Sequence, residues 1–171
     1  MPVYLVGFMG VGKTRLGRIV AQRTGSRFVD LDDWVEGAAG LPTKGIFERW
    51  GETYFRDLEH VCLRKTECLG SAIVATGGGT FTFERNRQII EKLGTSLWID
   101  LDFDSIIGRM SERGRRARPL LADENRARAL WEARQPVYGA ADLRVSVRRG
   151  EPAGAVAGRI LHMIREKNCV I

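Results

Sequence analysis

An α/β domain, with a five-stranded parallel sheet flanked by helices, is predicted by three features of the chain. Five short apolar runs alternate with stretches of helical length. A glycine-rich turn joins the first run to the first helix, and no repeat, low-complexity tract or Pro/Gly-rich linker interrupts the sequence. A chain of 171 residues buries roughly 70% of the surface it exposes when unfolded. That suffices for one domain over residues 1–171 and leaves no room for a large second catalytic domain.

The first strand is Pro2-Val3-Tyr4-Leu5-Val6, an unbroken apolar run ended by Gly7, as in a strand buried on both faces. Leu16, Ile19 and Val20 follow at helical spacing up to a stop at Gly25. The second strand centres on Phe28-Val29, the third is Ala72-Ile73-Val74-Ala75 ahead of three glycines, the fourth is Ser96-Leu97-Trp98-Ile99, and the fifth runs over 143–147. Helices are expected from near Trp34, with Asp33 as its N-cap, and over 54–69, 83–93, 104–112, 124–138 and 153–167. The last carries Val156, Ile160, Met163 and Ile164 on one face. The stretch from Gly114 to Asp123, with Arg115, Arg116 and Arg118 around Pro119, is irregular, and a loop of that length in a compact domain is usually a lid or a binding loop.

Composition narrows the function classes. With 44% apolar and 28% charged residues the chain is an ordinary globular one, which excludes disordered, collagenous and coiled-coil readings. Its net charge is +6, and 22 of its 27 cations are arginines, the side chain whose planar fork grips phosphate or carboxylate. Anionic partners are expected. Three cysteines without a CxxC pair and two distant histidines give neither a zinc site nor a disulfide framework. The apolar run at Val3 breaks at a glycine after four residues, against the roughly 20 that span a bilayer. A cytoplasmic protein with no membrane partner is the expectation.

The strongest motif is Gly7-Phe8-Met9-Gly10-Val11-Gly12-Lys13-Thr14, which fits GxxxxGK[ST] at every fixed position between a strand and a helix. Glycines let successive N–H groups turn toward phosphate oxygens, and the following helix offers its positive end to the same place. Lys13 is suited to the β- and γ-phosphates and the Thr14 hydroxyl to Mg²⁺. Nucleoside triphosphate binding follows.

The group that receives the phosphate is a separate question. In Asp30-Leu31-Asp32-Asp33, two carboxylates at alternate positions leave the carboxyl end of the second strand, the edge where α/β sheets bind ligands. One suits the water shell of Mg²⁺ and the other a hydroxyl proton. A solvated capped turn is the alternative. A calcium loop is excluded, because its sixth position is Val35 and its twelfth Leu41. Neither DxxG nor NKxD occurs, which argues against a GTPase switch.

Six fragments in order, GFMGVGKT, FVDLDD, GETYFRDLE, TGGG, RPLL and EARQPVY, resemble the shikimate kinases over residues 4 to about 145. The resemblance implies a three-layer P-loop kinase fold with a lid at about 110–123 and an acceptor-binding region at about 33–60. It implies ATP-dependent phosphorylation of the shikimate 3-hydroxyl, giving shikimate 3-phosphate and ADP, on the route to chorismate and the aromatic amino acids. ATP·Mg²⁺ then sits on Gly10, Val11, Gly12, Lys13, Thr14 and Arg15, with Thr14 and Asp30 at the metal. Asp32 is similar to the family's general base at the accepting hydroxyl, and Arg56 and Arg134 to the two arginines that hold the shikimate carboxylate. Gly77, Gly78 and Gly79 resemble the triplet whose backbone lies against the substrate, Gly78 supplying its N–H. Arg118 resembles the lid arginine that, with Lys13, stabilises the transferred charge, and Arg149, next to Arg148, the arginine beside adenine.

Those roles have physical sense. A small hydroxy acid is held best by a bidentate cation, a glycine backbone approaches a ring hydroxyl closely, and a closing arginine excludes water from ATP. Arg15 departs from the family's Ser or Thr, so its backbone alone is expected to act, and the lid is unusually rich in arginine. Taken alone, Arg56 reads more readily as a helix-surface residue paired with Glu52 or Glu59. Two competing functions share some of the features. A gluconate kinase would keep the phosphate loop without needing the FR, GGG and RxPxY set. A basic nucleic-acid-binding ATPase draws on the charge, but no helix-turn-helix, RRM or zinc-finger pattern accompanies it. The expected partners are ATP and shikimate alone, bound by a monomer with no nucleic acid.

Overall fold

The computed structural model describes residues 1–109 and 123–167. Its strands are β1 (Val3–Val6), β2 (Arg27–Asp30), β3 (Ala72–Ala75), β4 (Thr95–Asp100) and β5 (Leu143–Ser146). They form one parallel sheet in the order β2-β3-β1-β4-β5. Every residue of β1 and β3 is buried, as their continuous apolar runs require, whereas the edge strands β2 and β5 are half covered and carry polar residues. The phosphate-loop strand is thus central. Its carboxyl end lies beside that of β3, where the Thr76 amide and hydroxyl both donate to the Leu5 carbonyl, at 3.1 and 3.0 Å.

The helices are α1 (Lys13–Thr24), α2 (Leu31–Ala39), α3 (Thr43–Lys65), α4 (Glu84–Leu93), α5 (Phe103–Arg109), α6 (Glu124–Tyr138) and α7 (Ala153–Glu166). Val156, Ile160 and Ile164 of α7 face the core, and Arg23 of α1 donates to the Gly154 carbonyl at 2.9 Å. Short 3₁₀ turns occur at Thr66–Leu69 and Thr80–Thr82.

Two expectations need correction. The cap of α2 is Asp30, whose side chain accepts from the Asp32 amide, so the helix starts at Leu31 and Asp33 lies inside it. The carboxylate at the strand end reaches the free amides first. The long helix starts at Thr43 rather than Tyr54: Glu36 Oε1 accepts from the Thr43 amide at 2.7 Å, and Gly51, at φ 79° and ψ 177°, breaks the helix in the middle. The glycines at 45 and 51 hide the helical periodicity of the first half.

Candidate active site

The turn between β1 and α1 is built on left-handed backbone at Gly10 (φ 84°) and Gly12 (φ 100°), which β-carbon-bearing residues rarely adopt. It brings the turn amides and the first amides of α1 to one place, a ready anion site. Lys13 is buried along its stem, and its ammonium donates to the carbonyls of Gly7 and Phe8 at 2.8 and 2.9 Å. The charge is thereby folded back over the loop it serves.

Next to it, the Thr14 hydroxyl donates to Asp30 Oδ2 at 2.6 Å, while Asp30 Oδ1 accepts from the Asp32 amide at 3.1 Å. One carboxylate therefore fixes both the start of α2 and a hydroxyl of the phosphate loop. Among the described residues no three Asp, Glu, His or Cys gather as a metal cage. The Thr14–Asp30 pair is instead an all-oxygen donor set, which fits Mg²⁺, an ion that keeps waters and takes much of its coordination from bound phosphates.

Asp32 projects from the first turn of α2. Burial, then the neighbouring Asp30 charge, push its carboxyl up to about 6, with Lys13 pulling the other way and Glu59 and Glu36 adding to the rise. Its neighbour is the glycine triplet after β3. A β-carbon at Gly77 would lie 2.8 Å from Asp32 Oδ1 and 2.9 Å from Glu59 Oε1, and one at Gly79 would lie 2.7 Å from Arg56 Nη2. The three glycines are here because side chains stand on both sides of the strand's exit. A β-carbon at Gly78 would meet the Met9 amide nitrogen at 3.0 Å, so the triplet also touches the phosphate loop.

Arg56 realises both readings of its sequence context. Its Nη1 donates to both oxygens of Glu59 at 3.2 and 3.1 Å, and its Nε and Nη2 each reach Glu52 Oε1 at 3.2 Å. The two carboxylates differ in kind: Glu59 is wholly buried, whereas the Glu52 side chain is 64% exposed. An exposed pair of this sort is weak and exchangeable. Phe55 and Phe83 flank the guanidinium, 5.0 and 5.2 Å from ring centre to Cζ. From the other side, Arg134 of α6 donates to the Gly78 carbonyl at 3.2 Å and lies 5.9 Å from the Phe8 ring centre.

The structure thus brings Asp32, Arg56, Arg134 and Gly77 to Gly79 together, against the loop of Lys13 and Thr14. Arg149 is exposed on the turn after β5, where its charge helps hold the Asp102 carboxyl below its usual range, after the Ser105 hydrogen bond. Arg109 Nη2 donates to the Arg148 carbonyl at 3.0 Å in the same turn. Arg118, with the arginine-rich segment around it, lies outside the described residues. Three residues that support the site were given no role by the sequence. Glu59 appears in sequence only as a helical neighbour of Arg56; Thr80, whose hydroxyl donates to Glu59 Oε1 at 2.7 Å, follows the triplet directly; and Tyr138 closes the RxPxY pattern. Their importance lies in burial, which spacing does not reveal.

Comparison with known proteins identifies a family. A shikimate kinase family model matches residues 9–165. The chain is 41% identical over 166 residues to a shikimate kinase of Synechococcus sp. strain RCC307, covering 95% of this chain and 83% of that one. It is 38% identical over 167 residues to a shikimate kinase of Geobacter sulfurreducens, covering 96% and 91%. Among solved structures, a shikimate kinase from Acinetobacter baumannii in complex with shikimate superposes with a TM-score of 0.88 at 32% identity, over 99% of this chain and 95% of that one.

Proposed function

The chain belongs to the shikimate kinase family, and from that premise we propose that it transfers the γ-phosphoryl group of ATP to the 3-hydroxyl of shikimate. The products are shikimate 3-phosphate and ADP, on the route to the aromatic amino acids. The observation that carries the assignment of residues is the convergence of Asp32, Arg56 and Arg134 on one glycine triplet in contact with the phosphate loop.

The acceptor's carboxylate is held by Arg56 and Arg134, the former exchanging the exposed Glu52 for the substrate while keeping the buried Glu59. The ring then lies along the backbone of Gly77 to Gly79, with the Gly78 N–H available to a hydroxyl. Asp32 receives the proton of the attacking hydroxyl. A carboxyl near 6 is a better base than an ordinary aspartate and is still ionised at neutral pH. Gly10 to Arg15 offer backbone amides to the ATP phosphates, and Lys13 leaves its loop carbonyls for the phosphoryl oxygens as charge builds there. Mg²⁺, held by the Thr14 hydroxyl and through water by Asp30, would neutralise charge on the phosphates. Arg118, by the family resemblance, would add its charge at the transferred phosphoryl, and Arg149 flanks the adenine.

We read residues 1–171 as one kinase domain of the cytoplasm, active as a monomer on small molecules, without nucleic-acid or membrane partners. The arginine surplus supports small anions. Arg56, Arg85, Arg128, Arg144 and Arg159 each pair with an acidic side chain, so they form no bare cationic stripe. Among the described residues the exposed large apolar side chains are Met1, Trp50, Tyr54 and Val61, and of these only Trp50 and Tyr54 are in ring contact, tilted at 39°. That is far less than a stable dimer face needs. The test is ADP release by purified protein with ATP against shikimate and against gluconate. Release that depends on shikimate is expected, and its absence would overturn the proposal.

A further inference from the structure

The Gly78 carbonyl accepts two hydrogen bonds, from the Tyr138 hydroxyl at 2.5 Å and from Arg134 Nη1 at 3.2 Å. Both donors stand on the last turn of α6, four residues apart and therefore on one face. Tyr138 has no exposed surface, and its ring packs 6.1 Å from that of Trp98. Arg134 is only half-buried. One donor is fixed by packing; the other is partly exposed and, besides the carbonyl, touches the Tyr138 hydroxyl.

A guanidinium that is the only donor to a half-buried carbonyl presents its fork elsewhere at a cost, because leaving strands a partly desolvated acceptor. The second, shorter bond removes that constraint here. We propose that Tyr138 is a positioning residue for acceptor recognition: its hydroxyl keeps the Gly78 carbonyl satisfied and the Gly78–Gly79 peptide fixed, releasing Arg134 to the substrate carboxylate. This rests on the reading that Arg134 takes that carboxylate. Burial pushes the Tyr138 phenol up to about 12, against the opposing pull of Arg134 and Arg56, so the group remains a donor at any pH where the enzyme works.

Steady-state kinetics of Tyr138→Phe, Arg134→Ala and the double variant test it. Tyr138→Phe keeps the ring and removes the bond. Its KM for shikimate should rise about tenfold, the equivalent of about 1.4 kcal/mol, with the KM for ATP unchanged and kcat within about threefold. In the Arg134→Ala background the same change should add little, because no arginine remains to be released. Full additivity, or an equal loss toward both substrates, would overturn the inference and leave Tyr138 a packing residue. An Arg134→Ala variant with an unchanged shikimate KM would instead overturn the reading beneath it. If Tyr138→Phe loses its thermal transition, fluorotyrosine at position 138 preserves the packing and donates more strongly. It should then lower the shikimate KM, and an unchanged or higher value counts against the proposal.

Discussion

Glu59, without exposed surface, holds Arg56 through Nη1 with both of its carboxylate oxygens, at 3.2 and 3.1 Å, and also receives the Thr80 hydroxyl at 2.7 Å. A buried pair of this kind contributes little net stability, since desolvation offsets the attraction, but losing one partner is costly because the other charge stays behind. Its use is orientation: the guanidinium is held beside Gly79 while its other edge faces the exposed Glu52.

Glu59→Gln keeps the shape and removes the charge. The shikimate KM is expected to rise about tenfold and the melting temperature to fall, from a loss of about 3 kcal/mol, while the KM for ATP stays put. Thermal denaturation and initial rates on one preparation check both. A variant as stable as the parent with normal shikimate kinetics would show that Arg56 needs no anchor.

Arg56→Lys tests the fork itself. A lysine retains the charge next to Glu59 but supplies a point donor in place of a planar pair. The shikimate KM is expected to rise by about 10- to 100-fold, with ATP affinity intact when measured by nucleotide titration. A change confined to ATP would place Arg56 on the wrong side of the site.

The legible and illegible parts of this molecule differ in physical kind. The sheet was readable because the central strands carry continuous apolar runs, β1 being stopped by Gly7 and β3 followed closely by the glycine triplet. The phosphate loop was readable because its chemistry demands fixed residues at fixed spacing, Gly12, Lys13 and Thr14 among them. Helix starts were less so. Asp30 and Asp33 look alike as caps in sequence, and the outcome depended on which carboxylate the strand end delivered to the free amides. The supporting residues around the site were hidden altogether. Nothing in the spacing around Glu59 says that it is buried, and the RxPxY pattern marks Tyr138 without saying what its hydroxyl does, which shows only in its bond to the Gly78 carbonyl.

Asp32→Asn separates chemistry from binding. As the proton acceptor, Asp32 should account for about 10²- to 10⁴-fold in kcat, with nucleotide affinity unchanged; normal turnover would remove it from that role. In the parent enzyme kcat/KM should fall as pH drops below about 6, where the carboxyl takes up a proton. Stability moves the opposite way. Because the folded carboxyl titrates above an unfolded one, the native state binds the extra proton between the ordinary value of 3.8 and about 6, and stability falls as pH rises through that window. Asp32→Asn, which has no charge to bury, should therefore melt higher than the parent at pH 7 and show no such gain at pH 3.5. Equal melting temperatures at both pH values would mean that the carboxyl is not raised.

Gly51 divides α3 into a segment that carries Trp50 and one that carries Glu52, Arg56 and Glu59. Its φ of 79° with ψ of 177° lies in a region open to glycine and costly to any residue with a β-carbon. No atom crowds the position, so Gly51→Ala isolates the backbone from packing. Alanine strains the break by about 1–3 kcal/mol or straightens it, and straightening swings the 43–50 segment relative to Arg56. The two responses are separable. Strain alone lowers the melting temperature and leaves the shikimate KM as it was, whereas straightening raises that KM and leaves the KM for ATP unchanged. Because the second half of the helix is pinned through Glu59 by the Thr80 hydroxyl, the expected result is the first: a destabilised enzyme with normal acceptor kinetics. A stability equal to that of the parent would show that the break itself is not required.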